Sequence, residues 1–284
     1  MEHANRYSDG RRLPGQPMDC GSTREGPPAP TGQATGARPV LRSACGPAGL
    51  LSRLWGALAT ALCVLYTALL GVVACGLAAL GLQREVAAVS RLWARLIILT
   101  CGVKVEVEGL EKIAGLKSLV LVANHQSAFD IFALLARMPG TLSFVAKKEL
   151  VRIPLVGYAL KHGGHIIIDR QQGGRAIRKG IEAARRGSWI CVFAEGRRYT
   201  DGRVHEFSDG AAWLASAARL PCVPVAISGS GAFFPRGALV VRPGCRMRIR
   251  VLDPVETAHM AKEERAALTR RLEEAVRGAL VAEL

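Results

Sequence analysis

Acidic residues are scarce in this chain of 284: 23 aspartates and glutamates face 38 lysines and arginines, for a formal net charge of +15. That imbalance points to partners that carry negative charge, such as phosphate groups, anionic lipid head groups or nucleic acid. Aromatic residues are equally sparse at 5%, and no nucleic-acid reader motif accompanies them, which sets nucleic-acid binding aside. The eight cysteines, at 20, 45, 63, 75, 101, 191, 222 and 245, form no CxxC pair and no cluster with histidine. A zinc module and a disulfide scaffold are therefore not expected, and the thiols are read as reduced and buried. There is no Walker-type glycine loop, no dinucleotide fingerprint and no GxSxG nucleophile elbow, so neither a metal nor a bound cofactor is expected.

With half of its residues hydrophobic, the chain is too apolar for a disordered protein. Residues 1–48 are an exception. Gly26, Pro27, Pro28 and Pro30 typify a stretch without apolar periodicity, read as a disordered basic tail. Up to Arg53 it holds seven arginines against four acidic residues, a surplus suited to anionic lipid.

Charge is missing altogether from Leu54 to Gln83, longer than the about 20 apolar residues that cross a bilayer. Two geometries are open for this run: it spans the membrane, or it folds into a helical hairpin in one leaflet. In the next stretch Val86, Val89, Leu92, Trp93, Leu96 and Ile97 recur at helical spacing between Arg84, Arg91 and Arg95. That reads as an interfacial or docking helix, with an ordinary domain helix as the alternative. Residues 49–101 thus form a membrane-associated helical segment, and residues 102–284 the remaining domain.

After Gly102 short β-rich runs alternate with helical ones. Strands are predicted at Val103–Glu108, Ser118–Ala123, Leu142–Ala146, His165–Asp169, Trp189–Phe193, Cys222–Ile227, Leu239–Arg242 and Met247–Leu252. Helices are predicted at Phe129–Arg137, Leu155–His162, Arg175–Arg186, Gly210–Arg219 and Met260–Ala282. The alternation predicts an α/β layered domain with a largely parallel central sheet flanked by helices.

Two groups of chemically capable residues each follow a buried strand, the usual place for an α/β active site. The first is Asn124, His125, Gln126, Ser127 and, at the start of a helix, Asp130. If the chain turns there, Asp130 reaches back to one imidazole nitrogen of His125 while the other takes a proton. The competing reading has Asp130 capping free amides at the helix start, and spacing alone favours it. The second group is Glu195, Gly196, Arg197 and Arg198, where two adjacent guanidiniums suit a phosphate dianion and Glu195 is placed to hold one of them. The competing reading is a solvated surface turn. Lys147 and Arg170 also leave the ends of predicted strands. His162, His165 and His205 show no acidic partner at an informative spacing.

Together these blocks resemble the glycerolipid acyltransferase family, in particular lysophosphatidic-acid acyltransferases. "NHQSAFD" (124–130) is similar to the family's NHxxxxD block, "GGHIIIDR" (163–170) to its second block, "FAEGRRYTDG" (193–202) to its FPEGTR block, and "VPVAIS" (223–228) to its proline-containing fourth. The resemblance implies His125 as general base and Asp130 as its orienting partner. It implies acceptor contacts from Glu195, Gly196 and Arg198, with Asn124, Lys147, Arg170 and Arg197 as further substrate-binding candidates. The reaction implied is transfer of an acyl group from acyl-CoA or acyl carrier protein, as co-substrate, to the sn-2 hydroxyl of lysophosphatidic acid. The place implied is a membrane, at the cytoplasmic face of the plasma (inner) membrane. Alternatives are an acyltransferase for another lysolipid, or a non-catalytic protein that binds anionic lipid. The chain departs from the pattern at Ala194, where proline is usual, and at Arg197, where threonine is usual, which puts the acceptor head group in question more than the reaction.

Overall fold

The computed structural model describes residues 49–152, 156–168, 173–199, 201–233, 242 and 244–281. The N-terminal tail 1–48, Arg170, and all but Arg242 of the predicted strand Leu239–Arg242 lie outside the described residues.

The charge-free run folds as one continuous helix, α1 (Leu50–Ala79), and not as a hairpin within itself. Its interior glycines leave the helix unbroken, and the chain turns only at Gly81, whose φ of 72° suits a residue without Cβ. There the Gly81 N–H bonds to the Ala78 carbonyl at 3.1 Å and the Leu82 N–H to the Leu77 carbonyl at 3.0 Å, closing the helix end in a Schellman motif. The Thr60 and Thr67 hydroxyls donate to the carbonyls of Gly56 and Cys63, each at 2.7 Å, so both are satisfied without water.

Helix α1 is the one helix among the described residues long and apolar enough to cross a membrane, and only 11% of its most apolar window is buried. Small residues (Gly56, Ala59, Ala74, Ala78) face inward, while Leu50, Leu54, Leu58, Val64, Leu69 and Val72 stay exposed.

Helix α2 (Gln83–Thr100) folds back along α1. The Trp93 indole N–H donates to Thr67 Oγ1 at 3.1 Å, and the thiols of Cys63 and Cys101 lie 3.7 Å apart. On its other side the Arg91 guanidinium donates to the carbonyls of Pro139 and Gly140 at 3.3 and 3.0 Å. Its buried face, with Ile97, joins the core of the domain.

Among the described residues the domain has seven strands: β1 (Lys104–Glu108), β2 (Val120–Ala123), β3 (Leu142–Lys147), β4 (Ile166–Ile168), β5 (Trp189–Phe193), β6 (Cys222–Ser228) and β7 (Arg246–Val251). They lie in the order β1-β7-β6-β2-β5-β3-β4. Pairing is parallel throughout except between β6 and β7, so β1 and β7 run opposite to the rest. The central strands read as continuous apolar runs because both sheet faces are covered. In β2, Leu121 and Ala123 enter a core shared with α3 (Phe129–Arg137), α1 and α2. Val120 and Val122 enter a second core with α6 (Gly210–Ala218) and α7 (Arg265–Val281). α7 starts five residues later than predicted, after a single 3-10 turn at Lys262–Glu264. It turns Leu268, Leu272 and Val276 to the sheet, all buried. α4 (Val156–His162) and α5 (Gly173–Arg185) complete the helices.

Cys63, Cys75, Cys101, Cys191 and Cys222 are free thiols. Burial pushes the Cys222 thiol up to about 12, which makes it inert at neutral pH. Cys245 departs from expectation: it is disulfide-bonded. Spacing alone does not reveal such pairings.

His165, just before β4, accepts the Phe144 N–H on Nδ1 at 3.1 Å. Burial lowers its pKa to about 4, against 6.5 for an ordinary histidine. An imidazole that is harder to protonate when folded contributes stability above pH 6.5, and that contribution drains away as pH falls from 6.5 towards 4. His165→Asn keeps an acceptor but no titration, so its Tm is expected to fall less than the wild type's across that window, by thermal unfolding in detergent; parallel curves would refute the burial effect.

Candidate active site

Because β2, β5, β3, β4 and β6 run in parallel, their carboxyl ends emerge along one edge of the sheet. The predicted site residues leave from that edge: His125 after β2, Glu195–Arg198 after β5, and Lys147 at the end of β3.

The His125 side chain is 13% exposed and Asp130 is fully buried, and they meet: Nδ1 of the imidazole lies 2.8 Å from Oδ2 of the carboxylate. The same Oδ2 accepts the N–H groups of Gln126 and Ser127 at 2.8 and 2.9 Å. The two readings of Asp130 are therefore both observed, since one oxygen caps the turn and holds the imidazole. An oxygen that already accepts two N–H groups acts as a carboxylate, so Nδ1 carries the proton and Nε2 presents its lone pair. Oδ1 of Asp130 is buried without a hydrogen-bond partner among the described residues. The imidazole stacks on Phe193, with ring centroids 3.9 Å apart and 16° between planes. Pinned by a carboxylate at its edge and an aromatic face on its flat side, the ring has one orientation.

Asn124, expected to touch substrate, has another task. Its side-chain amide donates to the Ile227 carbonyl at 2.9 Å and its oxygen accepts the Ile227 N–H at 2.8 Å. Fully buried, it clamps the start of the His125 loop to β6.

Glu195 is likewise not the partner of an arginine. Buried at the end of β5, it accepts the His125 N–H on Oε2 and the His205 N–H on Oε1, each at 2.9 Å. Burial raises its pKa above the ordinary value, partly offset by the N–H groups of His205 and His125. One carboxylate thus ties the His125 loop to the segment leading into α6. The connection is doubled by the Tyr199 N–H, which donates to the His125 carbonyl at 2.9 Å. Between them the chain makes a tight turn, Gly196 N–H to the Phe193 carbonyl at 3.1 Å, with Gly196 at φ 67°.

That turn exposes Arg197 and Arg198 to solvent. The Arg197 guanidinium lies over the Tyr199 ring, 4.4 Å from its centroid, and Tyr199 also stacks with His205 at 3.6 Å and 12°. His205, expected to lack an acidic partner, has one in Asp201, Nε2 to Oδ2 at 2.8 Å. The spacing of four residues was the available signal. Partial burial opposes ionisation of Asp201, but the Arg203 N–H and His205 outweigh it and hold its pKa below the ordinary value. Lys147 is exposed at the end of β3, without a hydrogen bond or ion pair to the other described site residues. Among the described residues no cluster of histidine, cysteine and carboxylate is arranged to hold a metal.

The arrangement is a polarised imidazole beside a surface of unmatched positive charge. Residues 104–228 match the acyltransferase family. The chain is 35% identical over 160 residues to the 1-acyl-sn-glycerol-3-phosphate acyltransferase of Pseudomonas aeruginosa, covering 54% of this chain and 61% of that one. It is 33% identical over 175 residues to 1-acyl-sn-glycerol-3-phosphate acyltransferase alpha of Bos taurus, covering 60% and 61%. With the 1-acyl-sn-glycerol-3-phosphate acyltransferase of Saccharomyces cerevisiae it shares 34% identity over 172 residues, covering 58% and 56%. The chain thus spans about three-fifths of the length of these curated relatives. Among solved structures, the 1-acyl-sn-glycerophosphate (LPA) acyltransferase PlsC from Thermotoga maritima superposes with a TM-score of 0.65 at 26% identity, covering 81% of this chain and 97% of that one. Residues 104–228 are thus similar to the acyltransferase family, and they hold both groups of candidate site residues.

Proposed function

We propose that this protein transfers an acyl group from a thioester, acyl-CoA or acyl carrier protein, to the sn-2 hydroxyl of a lysophosphatidic acid, yielding phosphatidic acid. The observation that carries the reading is the 2.8 Å bond between His125 and Asp130, which frees Nε2 to act as a base. A neutral alcohol is a poor nucleophile at pH 7, and a positioned base contributes about 10²–10⁴-fold. As the hydroxyl oxygen attacks the thioester carbonyl, its proton passes to Nε2. Asp130 balances the imidazolium that forms. When the tetrahedral intermediate collapses, the C–S bond breaks and the proton returns to the departing thiolate. The products are an ester and a free thiol, with no acyl-enzyme and no change of oxidation state.

The relatives above are named for a 1-acyl-sn-glycerol-3-phosphate acceptor, which supports a phosphate-bearing acceptor here. Arg198 offers a forked donor to that phosphate from the turn bonded to the His125 carbonyl. Helix α1, with its exposed apolar side chains, supports placement at a bilayer, where an amphipathic acceptor is drawn from lipid.

The test is direct. Purified protein in nanodiscs, given lysophosphatidic acid and acyl-CoA or acyl carrier protein, is expected to release free thiol in step with phosphatidate measured by mass spectrometry. Absence of both products with either donor would overturn the assignment. Arg198→Ala is expected to raise the acceptor KM about tenfold or more while changing kcat less, as loss of a charge-assisted contact predicts. An unchanged acceptor KM would remove Arg198 from the phosphate site.

A further inference from the structure

Both carboxylates near the Arg197–Arg198 turn already have partners. Glu195 accepts the N–H groups of His125 and His205, and Asp201 binds the His205 imidazole and the Arg203 N–H. Neither arginine makes an ion pair among the described residues, so two adjacent guanidiniums stand exposed without a counter-charge. They differ in how they are held. Among the described residues the Arg198 side chain makes no hydrogen bond, ion pair or ring contact, whereas Arg197 rests on the Tyr199 ring at 4.4 Å. That ring is fixed in turn by His205 at 3.6 Å, and His205 by Asp201 at 2.8 Å.

A guanidinium on an aromatic face keeps its edge N–H donors free. Such a stack lowers the entropy lost on binding, because the side chain is ordered beforehand. The backbone carries this order to the base, since Tyr199 donates to the His125 carbonyl at 2.9 Å. Two forks of donors, one of them prefixed, match a group with several charged oxygens. A phosphate monoester carries about −1.5 to −2 charges at pH 7 and three terminal oxygens, whereas a phosphodiester carries one charge and two.

We propose that Arg197, held by the stack of Tyr199 and His205 on Asp201, is the residue that selects the acceptor head group. With Arg198 it favours a phosphate monoester over a phosphodiester. The inference rests on the acyl-transfer reading above. In it, Arg197 touches the acceptor phosphate, while Tyr199, His205 and Asp201 act through Arg197 as positioning residues.

The experiment compares kcat/KM for 1-acyl-glycerol 3-phosphate and for 1-acyl-phosphatidylglycerol, presented in nanodiscs with one acyl-CoA, in the wild type and three variants. The wild type is expected to prefer the monoester. Arg197→Thr is expected to lower the monoester-to-diester ratio about tenfold, through the monoester's KM. Tyr199→Leu, which removes the face but not the charge, lowers the ratio part of the way, while Tyr199→Phe, which keeps the face, retains it. Turnover of the diester in each variant shows that the protein is folded, so a lost ratio is not lost structure. A ratio unmoved by Arg197→Thr, or moved equally by Tyr199→Phe and Tyr199→Leu, would overturn the proposal. A wild type that acylates neither acceptor would instead overturn the acyl-transfer reading itself.

Discussion

His125→Ala is expected to lower kcat by about 10²–10⁴-fold, the contribution of a positioned general base, with thermal unfolding little changed. The imidazole is partly exposed and its one hydrogen bond among the described residues is to Asp130, so its removal leaves the core packing in place. Asp130→Asn is expected to cost less in rate and more in stability. The asparagine keeps an acceptor for the Gln126 and Ser127 N–H groups but cannot balance an imidazolium. With Oδ1 already lacking a partner among the described residues, an amide NH₂ at that position buries two donors in place of a lone pair. The measurement is single-turnover acyl transfer paired with thermal melting. Full turnover in the His125 variant would end its assignment as the base.

The second large effect is expected at Glu195. Its carboxylate receives two backbone N–H groups from loops 70 and 10 residues away in sequence. Glu195→Ala leaves both donors buried and unmatched, a loss of about 2–5 kcal/mol in stability. Because one donor belongs to His125, kcat is expected to fall as well, with the acceptor KM changed less. Glu195→Gln restores part of both, since the amide oxygen still accepts from one of the two. A variant that altered only the acceptor KM would make Glu195 a ligand of the head group and not a brace. The discriminating data are kcat and KM determined separately, alongside a denaturation midpoint for each protein.

Local features of this fold were legible because they are written at short range. Helix Phe129–Arg137 and strand Trp189–Phe193 occur with the bounds that periodicity predicted, since each is an uninterrupted apolar pattern bounded by polar or small residues. The His125–Asp130 pair was legible as a possibility, five residues apart across a strand-to-helix turn. What escaped is what depends on contacts distant in sequence. The pairing of β1 with β7 joins Lys104 to Arg246, and no local pattern encodes it. Asn124 is spoken for by Ile227, 103 residues on, so its place beside His125 in the motif, which suggested a binding residue, misled. Glu195 looked like an arginine's partner because arginines follow it, but burial at a strand end turned its oxygens to backbone amides. The Asp201–His205 pair, by contrast, stood in plain view at a spacing of four.

One hydrogen bond described above, from the Tyr199 amide to the His125 carbonyl, makes the base and the arginine turn a single rigid caliper. Under the proposed acyl transfer, an acceptor is then gauged by the number of bonds between its nucleophilic oxygen and its phosphorus. A glycerol phosphate has one such span, and a homologue lengthened by a single methylene would seat its phosphate while holding its hydroxyl out of register with the imidazole.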